Sequence, residues 1–211
     1  MSKISLVNKA ITDKLTKNTV ILDPAGLSYM QSSFLGAGGA SGAIYKLLNT
    51  TKPNSEVINH FKKFKDLDDL YKNNTNDLSV SYYGSYNDNT IKLIHTVGPD
   101  FRTSKFLQDI LCDTNKTDKL FYKIYDDIYK EFIRVSLSNN KSKLTLRLLP
   151  ISSGIFINND LISKIKIFRS VIINYHKLND KYKKEIKTKP KIYLYDKEDY
   201  KLMKFLSQLK L

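Results

Sequence analysis

Seven consecutive small residues, Gly36-Ala37-Gly38-Gly39-Ala40-Ser41-Gly42, stand between a strand-like and a helix-like segment. None has a side chain larger than serine, so the run suits backbone freedom and close approach rather than core volume. Upstream, Thr19-Val20-Ile21-Leu22 reads as a buried strand; downstream, Ala43-Ile44-Tyr45-Lys46-Leu47-Leu48 reads as a helix. A glycine-rich turn that opens a helix presents unpaired N–H groups and the positive end of the helix dipole, which suits a phosphate or diphosphate. A flexible surface turn has the same composition, and the run by itself does not separate the two.

Two distant segments add to it. Leu93-Ile94-His95-Thr96-Val97-Gly98-Pro99 is a strand that stops at a Gly-Pro break. Leu148-Leu149-Pro150-Ile151-Ser152-Ser153-Gly154-Ile155-Phe156 is an apolar strand emptying into a small-residue turn closed by an aromatic. The three segments, in this order, resemble the signature of the macro domain family, which binds ADP-ribose, and have some likeness to viral macro domains. Family members show an Asn-Ala-Ala-Asn element, a glycine-rich loop ending in Gly-Ala-Ile, an Ile-His-x-Val-Gly-Pro strand and a Ser-x-Gly-Ile/Val-Phe turn. Here the last three correspond to Gly38–Ile44, Ile94–Pro99 and Ser152–Phe156.

The resemblance implies one three-layer α/β/α domain over residues 1–211 with a mixed central sheet. It implies ADP-ribose as ligand, with no cofactor besides. Gly36, Gly38, Gly39 and Ala40 would face Ser152, Ser153, Gly154 and Ile155 across the diphosphate, with Phe156 against the distal ribose. Tyr195, at the end of the final strand, would stack on the adenine; a core tyrosine is the plainer alternative. The position that reads the adenine amino group, just before Ile11, is Ala10 here. The Asn-Ala-Ala-Asn element becomes Asp23-Pro24-Ala25-Gly26, so Gly26 brings no side chain where hydrolytic relatives use an asparagine. Asp23 would hold a ribose hydroxyl, although a carboxylate near a diphosphate is repulsive. Ser41 stands where such relatives often carry aspartate. The longer stretch Leu27–Leu35 offers Ser28, Gln31 and Ser32 as replacements.

A chain of 211 residues is long enough for one full core, and no linker divides it. It has no long apolar run to span a membrane and no signal-like start. Cys112 is the sole cysteine, which excludes an internal disulfide and fits an intracellular setting, cytoplasmic or nuclear. The formal charge of +14 favours encounter with anions, nucleic acid among them. The cations are nearly all lysine, with Arg102, Arg134, Arg147 and Arg169 the only arginines, so the forked side chain that reads bases and phosphates is scarce. His60, His95 and His176 lack metal-ligand spacing, and His95, inside an apolar strand, reads as structural.

Strands and helices alternate, the pattern of an α/β protein. Strands are expected at Ile4–Val7, Val20–Leu22, Leu78–Tyr83, Ile91–Val97, Leu144–Leu149 and Ile192–Tyr195. A helical turn or short helix is expected at Thr12–Lys17, and helices from Ser41, at Glu56–Lys65, Asp118–Ser138, Leu161–Asn179 behind an Asp160 cap, and Glu198–Leu209. Asp66–Asp77 reads as a polar surface excursion, and Lys181–Pro190 as a solvated loop. Three functions remain: a module binding ADP-ribose or ADP-ribosylated protein, a hydrolase removing ADP-ribose from protein, or a degenerate macro fold that binds nucleic acid through its lysines.

Overall fold

The computed structural model describes residues 4–73, 79–86, 89–138, 143–158 and 160–209. Its strands are β1 (Leu6–Val7), β2 (Thr19–Asp23), β3 (Ser79–Tyr86), β4 (Asn89–Thr96), β5 (Thr145–Leu148) and β6 (Lys191–Tyr193). They form one sheet in the order β1-β6-β5-β2-β4-β3. The five strands from β1 to β4 in that order run parallel. The one antiparallel pairing is the β3–β4 hairpin at the edge, so the body of the sheet is parallel rather than mixed through its interior. A parallel body buried on both faces explains why β2 reads as an unbroken apolar run, Thr19-Val20-Ile21-Leu22, with every residue buried.

Eight α-helices flank the sheet among the described residues: α1 (Leu27–Gln31), α2 (Gly39–Leu48), α3 (Ser55–Lys62), α4 (Leu67–Asn73), α5 (Lys105–Cys112), α6 (Thr114–Ser138), α7 (Leu161–Lys181) and α8 (Lys197–Leu206). The arrangement is a three-layer α/β/α fold. The four-residue recurrence in α6 buries Leu120, Ile124, Ile128 and Phe132 together with Phe121, Tyr125 and Tyr129. Of these, Tyr125 and Tyr129 meet Val171 and Tyr175 of α7 over Leu148 and Ile192 of the sheet. On the opposite face, Ser41 and Tyr45 of α2 reach Asp23, and Gln31 of α1 donates to the carbonyls of Phe61 in the last turn of α3 and of Phe64 just past it.

The described elements correct several expectations. Of the two alternatives at Thr12–Lys17 the turn holds and the helix does not: residues 11–14 form a turn whose carbonyls serve Arg147. The guanidinium donates to the carbonyls of Ile11, Asp13 and Lys14 at 2.5–3.0 Å and lies over the Tyr193 ring, its carbon 4.6 Å from the centroid. The polar stretch after Asp66 contains α4, which buries Leu70 and Tyr71; residues 74–77 of that expectation lie outside the described residues. Helix α5 was not expected; Ser104 caps it by accepting from the Leu107 N–H. The longer stretch Leu27–Leu35, to which no element was assigned, opens with α1. Asp160 does cap α7, accepting from the Ser163 N–H at 2.7 Å.

Arg147 donates to three backbone carbonyls of the 11–14 turn. Arg147→Ala should lower stability in urea unfolding by about 2–4 kcal/mol, and Arg147→Lys should recover little of it, because an ammonium cannot span the three acceptors in the guanidinium plane.

Candidate functional site

Parallel strands end on one rim, and ligands of open α/β sheets bind beyond those ends. The chain leaves this rim after β2, β4, β5 and β6, so residues 24–38, 97–104, 149–160 and 194–196 are gathered there from four parts of the sequence.

After β2 the chain enters α1 and then the glycine-rich turn. Gly36 has φ +81° and Gly39 φ +58°, left-handed conformations that favour glycine. Gly38 is the N-cap of α2 and supplies no side-chain acceptor, so the first N–H groups of that helix have no capping partner. A Cβ at Gly38 or Gly39 would meet nothing within 4 Å, so the backbone here faces open space. Gly42 differs: its Cβ would stand 2.3 Å from the Ala37 carbonyl oxygen, so glycine is required by the fold of the turn itself.

After β5, Ser152 adopts φ +62° and Gly154 opens a single 3₁₀ turn, Ile155–Ile157. Such a turn leaves its first N–H groups without an internal partner. Gly154 also has nothing within 4 Å of its Cβ position. Two buried tyrosines hold the rim loops from beneath. Tyr125 donates to the Leu149 carbonyl and accepts from the Ile151 N–H, while Tyr71 donates to the Val97 carbonyl. Burial pushes both phenols well above their ordinary range, so they remain neutral donors.

Four positions draw the loops together. A Cβ at Gly98 would stand 3.0 Å from the Phe156 ring and 3.2 Å from Ser152 Oγ, a fit that a larger residue would wedge apart. The Phe101 N–H donates to the Phe156 carbonyl, and the Gly98 N–H to that of Ala25. Gly26 faces both Tyr29 and Phe156, and the Tyr29 hydroxyl donates to the Gly36 carbonyl at 3.0 Å. The two small-residue turns are therefore linked through Gly26 and Tyr29. Arg102 lies over the Phe156 ring, its guanidinium carbon 5.6 Å from the centroid. Its bidentate contact with Asp100 holds its pKa above the usual value.

Below the rim lies a buried polar cluster. Asp23, fully enclosed at the end of β2, accepts from Ser41 Oγ at 2.6 Å through Oδ1 and from the Tyr45 hydroxyl at 2.5 Å through Oδ2. His95 Nδ1 lies 2.8 Å from that Oδ2. The Tyr45 ring in turn stacks on Phe34 at 3.6 Å between centroids.

The sequence-derived site residues separate into groups. Gly26, Gly36, Gly38, Gly39, Ala40 and Ser152–Phe156 lie on the rim loops. Asp23 and Ser41 are committed to each other underneath. Ile11 is buried in the 11–14 turn, with its carbonyl on Arg147. Tyr195 is 84% exposed, which removes the core alternative, and Asn8 Nδ2 ties down its flank by donating to the Leu194 and Tyr195 carbonyls. Gln31 donates to the distant carbonyls of Phe61 and Phe64, and Ser32 to that of Ser28 one turn earlier. Sequence reasoning missed Tyr29, Tyr71, Arg102 and Tyr125. Only Arg102 carried a signal, as an arginine four residues past the Gly-Pro break. No group of three His, Cys, Asp or Glu side chains able to hold a metal occurs among the described residues.

Comparison with solved structures places this geometry. The Oceanobacillus iheyensis macrodomain with ADP superposes with a TM-score of 0.56 at 18% identity, over 95% of this chain and 87% of that one. A Trypanosoma brucei macrodomain in complex with ADP-ribose gives 0.55 at 16% identity, over 96% and 68%. An alphavirus P23pro-zbd protein gives 0.55 at 16% identity, spanning all of this chain and 24% of that one. The chain has the macrodomain fold. No family model and no curated protein matches its sequence.

Two substitutions test the framework. Asp23→Ala strands three buried donors and should cost at least about 3 kcal/mol in urea unfolding, whereas Asp23→Asn should cost less. Gly42→Ala should lower stability by about 1–3 kcal/mol, since backbone must move to admit the methyl group; an unchanged midpoint would show that the turn relaxes freely.

Proposed function

We propose that the rim binds ADP-ribose, free or attached to protein, with the diphosphate between the Gly36–Gly42 and Ser152–Phe156 turns. The observation that carries this reading is the pairing of two turns whose leading N–H groups lack partners and whose glycines face open space, linked through Gly26 and Tyr29. Side chains are excluded at Gly38, Gly39 and Gly154, so a diphosphate can approach the backbone closely. Ser152 Oγ is buried with no hydrogen-bond partner, and an anion in this position supplies one. Phe156, flanked by Gly26, Gly98 and Arg102, offers a wall for the distal ribose. Exposed Tyr195 offers a face for the adenine. Similar folds have been solved with ADP and with ADP-ribose, which fits this assignment.

Binding rather than turnover is the favoured activity. Gly26 has no side chain to hold a ribose hydroxyl or a water, and the Ser41 hydroxyl is spent on Asp23. Each missing hydrogen bond of this kind is worth about 1–3 kcal/mol, and about 1.4 kcal/mol of transition-state stabilisation is a factor of ten in rate.

Titration calorimetry with ADP-ribose tests the proposal. Wild type should bind, and Gly39→Glu should bind at least about 100-fold more weakly, because a carboxylate in the turn repels the diphosphate; the left-handed backbone at residue 39 should cost the variant only about 1–2 kcal/mol of stability, leaving it folded in the assay. Equal affinity in the variant would remove the turn from the site. ADP-ribose release from a mono-ADP-ribosylated protein should run at least about 100-fold slower than with a hydrolytic macrodomain at equal concentration. Comparable rates would overturn the reader assignment.

A further inference from the structure

The opposite pole of the sheet, where the parallel strands begin, has a chemistry of its own. Thr19 of β2 pairs with Thr145 of β5, and Arg147 of β5 with Lys191 of β6. Lys17, in the Thr16–Thr19 turn that leads into β2, Lys143, two residues before β5, and Lys189, two residues before β6, therefore all enter the sheet at this pole. The Thr145 N–H donates to the Asn18 carbonyl at 2.8 Å, which fixes the first two entrances against each other. The three entrances follow one another in the strand order β6-β5-β2, so these lysines stand in a row along one end of the sheet. Lys187 and Lys184, in the turn before β6, extend the row. Lys17, Lys143, Lys184, Lys187 and Lys191 are all exposed, and among the described residues none is held by a carboxylate in an ion pair. The acids of this segment are Asp180, which takes Lys183, and Glu185.

The arginines are placed elsewhere. Arg102 pairs with Asp100, Arg134 with Glu131 and Arg169 with Asp118, while Arg147 is buried on backbone carbonyls. The pole therefore presents ammonium groups alone, which act on phosphate as point charges without forked geometry or base-edge readout. Beside these lysines stand Thr16, Asn18, Thr188 and Glu185, with Ile186 packed against the core, rather than the exposed aromatics on which single-stranded bases stack or the apolar wedge of a membrane-docking face.

We propose that this lysine row at the strand entrances is a second binding surface, for the phosphate backbone of duplex nucleic acid, at the pole opposite the glycine-rich rim. It binds without sequence preference and does not depend on the ADP-ribose reading.

The test is fluorescence anisotropy with a labelled 20-base-pair RNA duplex from 50 to 200 mM KCl. About four phosphate contacts give a log–log salt slope near −3.6, so affinity should fall on the order of 100-fold across that range. The Lys17→Gln/Lys143→Gln variant should lose about two units of slope. The Lys119→Gln/Lys123→Gln variant removes the same charge from α6, away from the strand entrances, and should keep the wild-type slope. Lys187→Gln/Lys191→Gln serves as an independent pair should the first destabilise the fold, which circular dichroism reports. The proposal is overturned by absent binding at 50 mM salt, by equal losses in the α6 and strand-entrance variants, or by poly-glutamate or phosphatidylserine vesicles displacing the RNA at matched charge.

Discussion

The Asp23 carboxyl joins the three elements that meet under the rim. It ends the central strand β2, receives Ser41 and Tyr45 from the helix behind the glycine-rich turn, and faces His95 of the neighbouring strand. A buried carboxyl is costly unless its oxygens are satisfied, and here three side chains from two elements do so. The turn is thus anchored at its helical end by Ser41 and at its start by Tyr29, while the Cβ positions of Gly38 and Gly39 at its middle meet nothing within 4 Å. Rigid ends and a bare centre suit a loop whose backbone is to touch something else.

Several of these features were legible in the sequence because they depend on local composition. Small residues mark positions where a Cβ does not fit, and Gly42 and Gly98 bear this out with clashes against Ala37 and Phe156. The period of α6 and the Asp160 cap were equally readable, since each signal lies within one turn of chain. What escaped the sequence is nonlocal. Tyr125 and Tyr71 look like any core aromatic until their hydroxyls are seen on the carbonyls of Leu149 and Val97. The Asp23 engagement required knowing that residue 41 folds back over residue 23. Helix α4 was hidden by its Asp- and Asn-rich surroundings, because only Leu70 and Tyr71 of that stretch are buried.

The division of cations follows the same physics. The four arginines sit where a planar group can satisfy carboxylates or a cluster of carbonyls. The lysines, whose charge is more strongly hydrated, occupy the solvent. A high formal charge thus coexists with an interior in which every guanidinium has a named partner.

The strand order has a consequence for how the molecule comes into being. β2 lies between β4 and β5, and β5 in turn lies between β2 and β6. A nascent chain emerging as far as the end of α6 can pair β2 with β4, but the place beside β2 stays vacant until residues 145–148 arrive, more than 120 residues after β2 began. One half of the rim pocket then waits on the other throughout most of synthesis. Such long-range closure is slow and leaves an unpaired strand edge exposed meanwhile, so this chain is a candidate for chaperone capture before its two turns ever face each other.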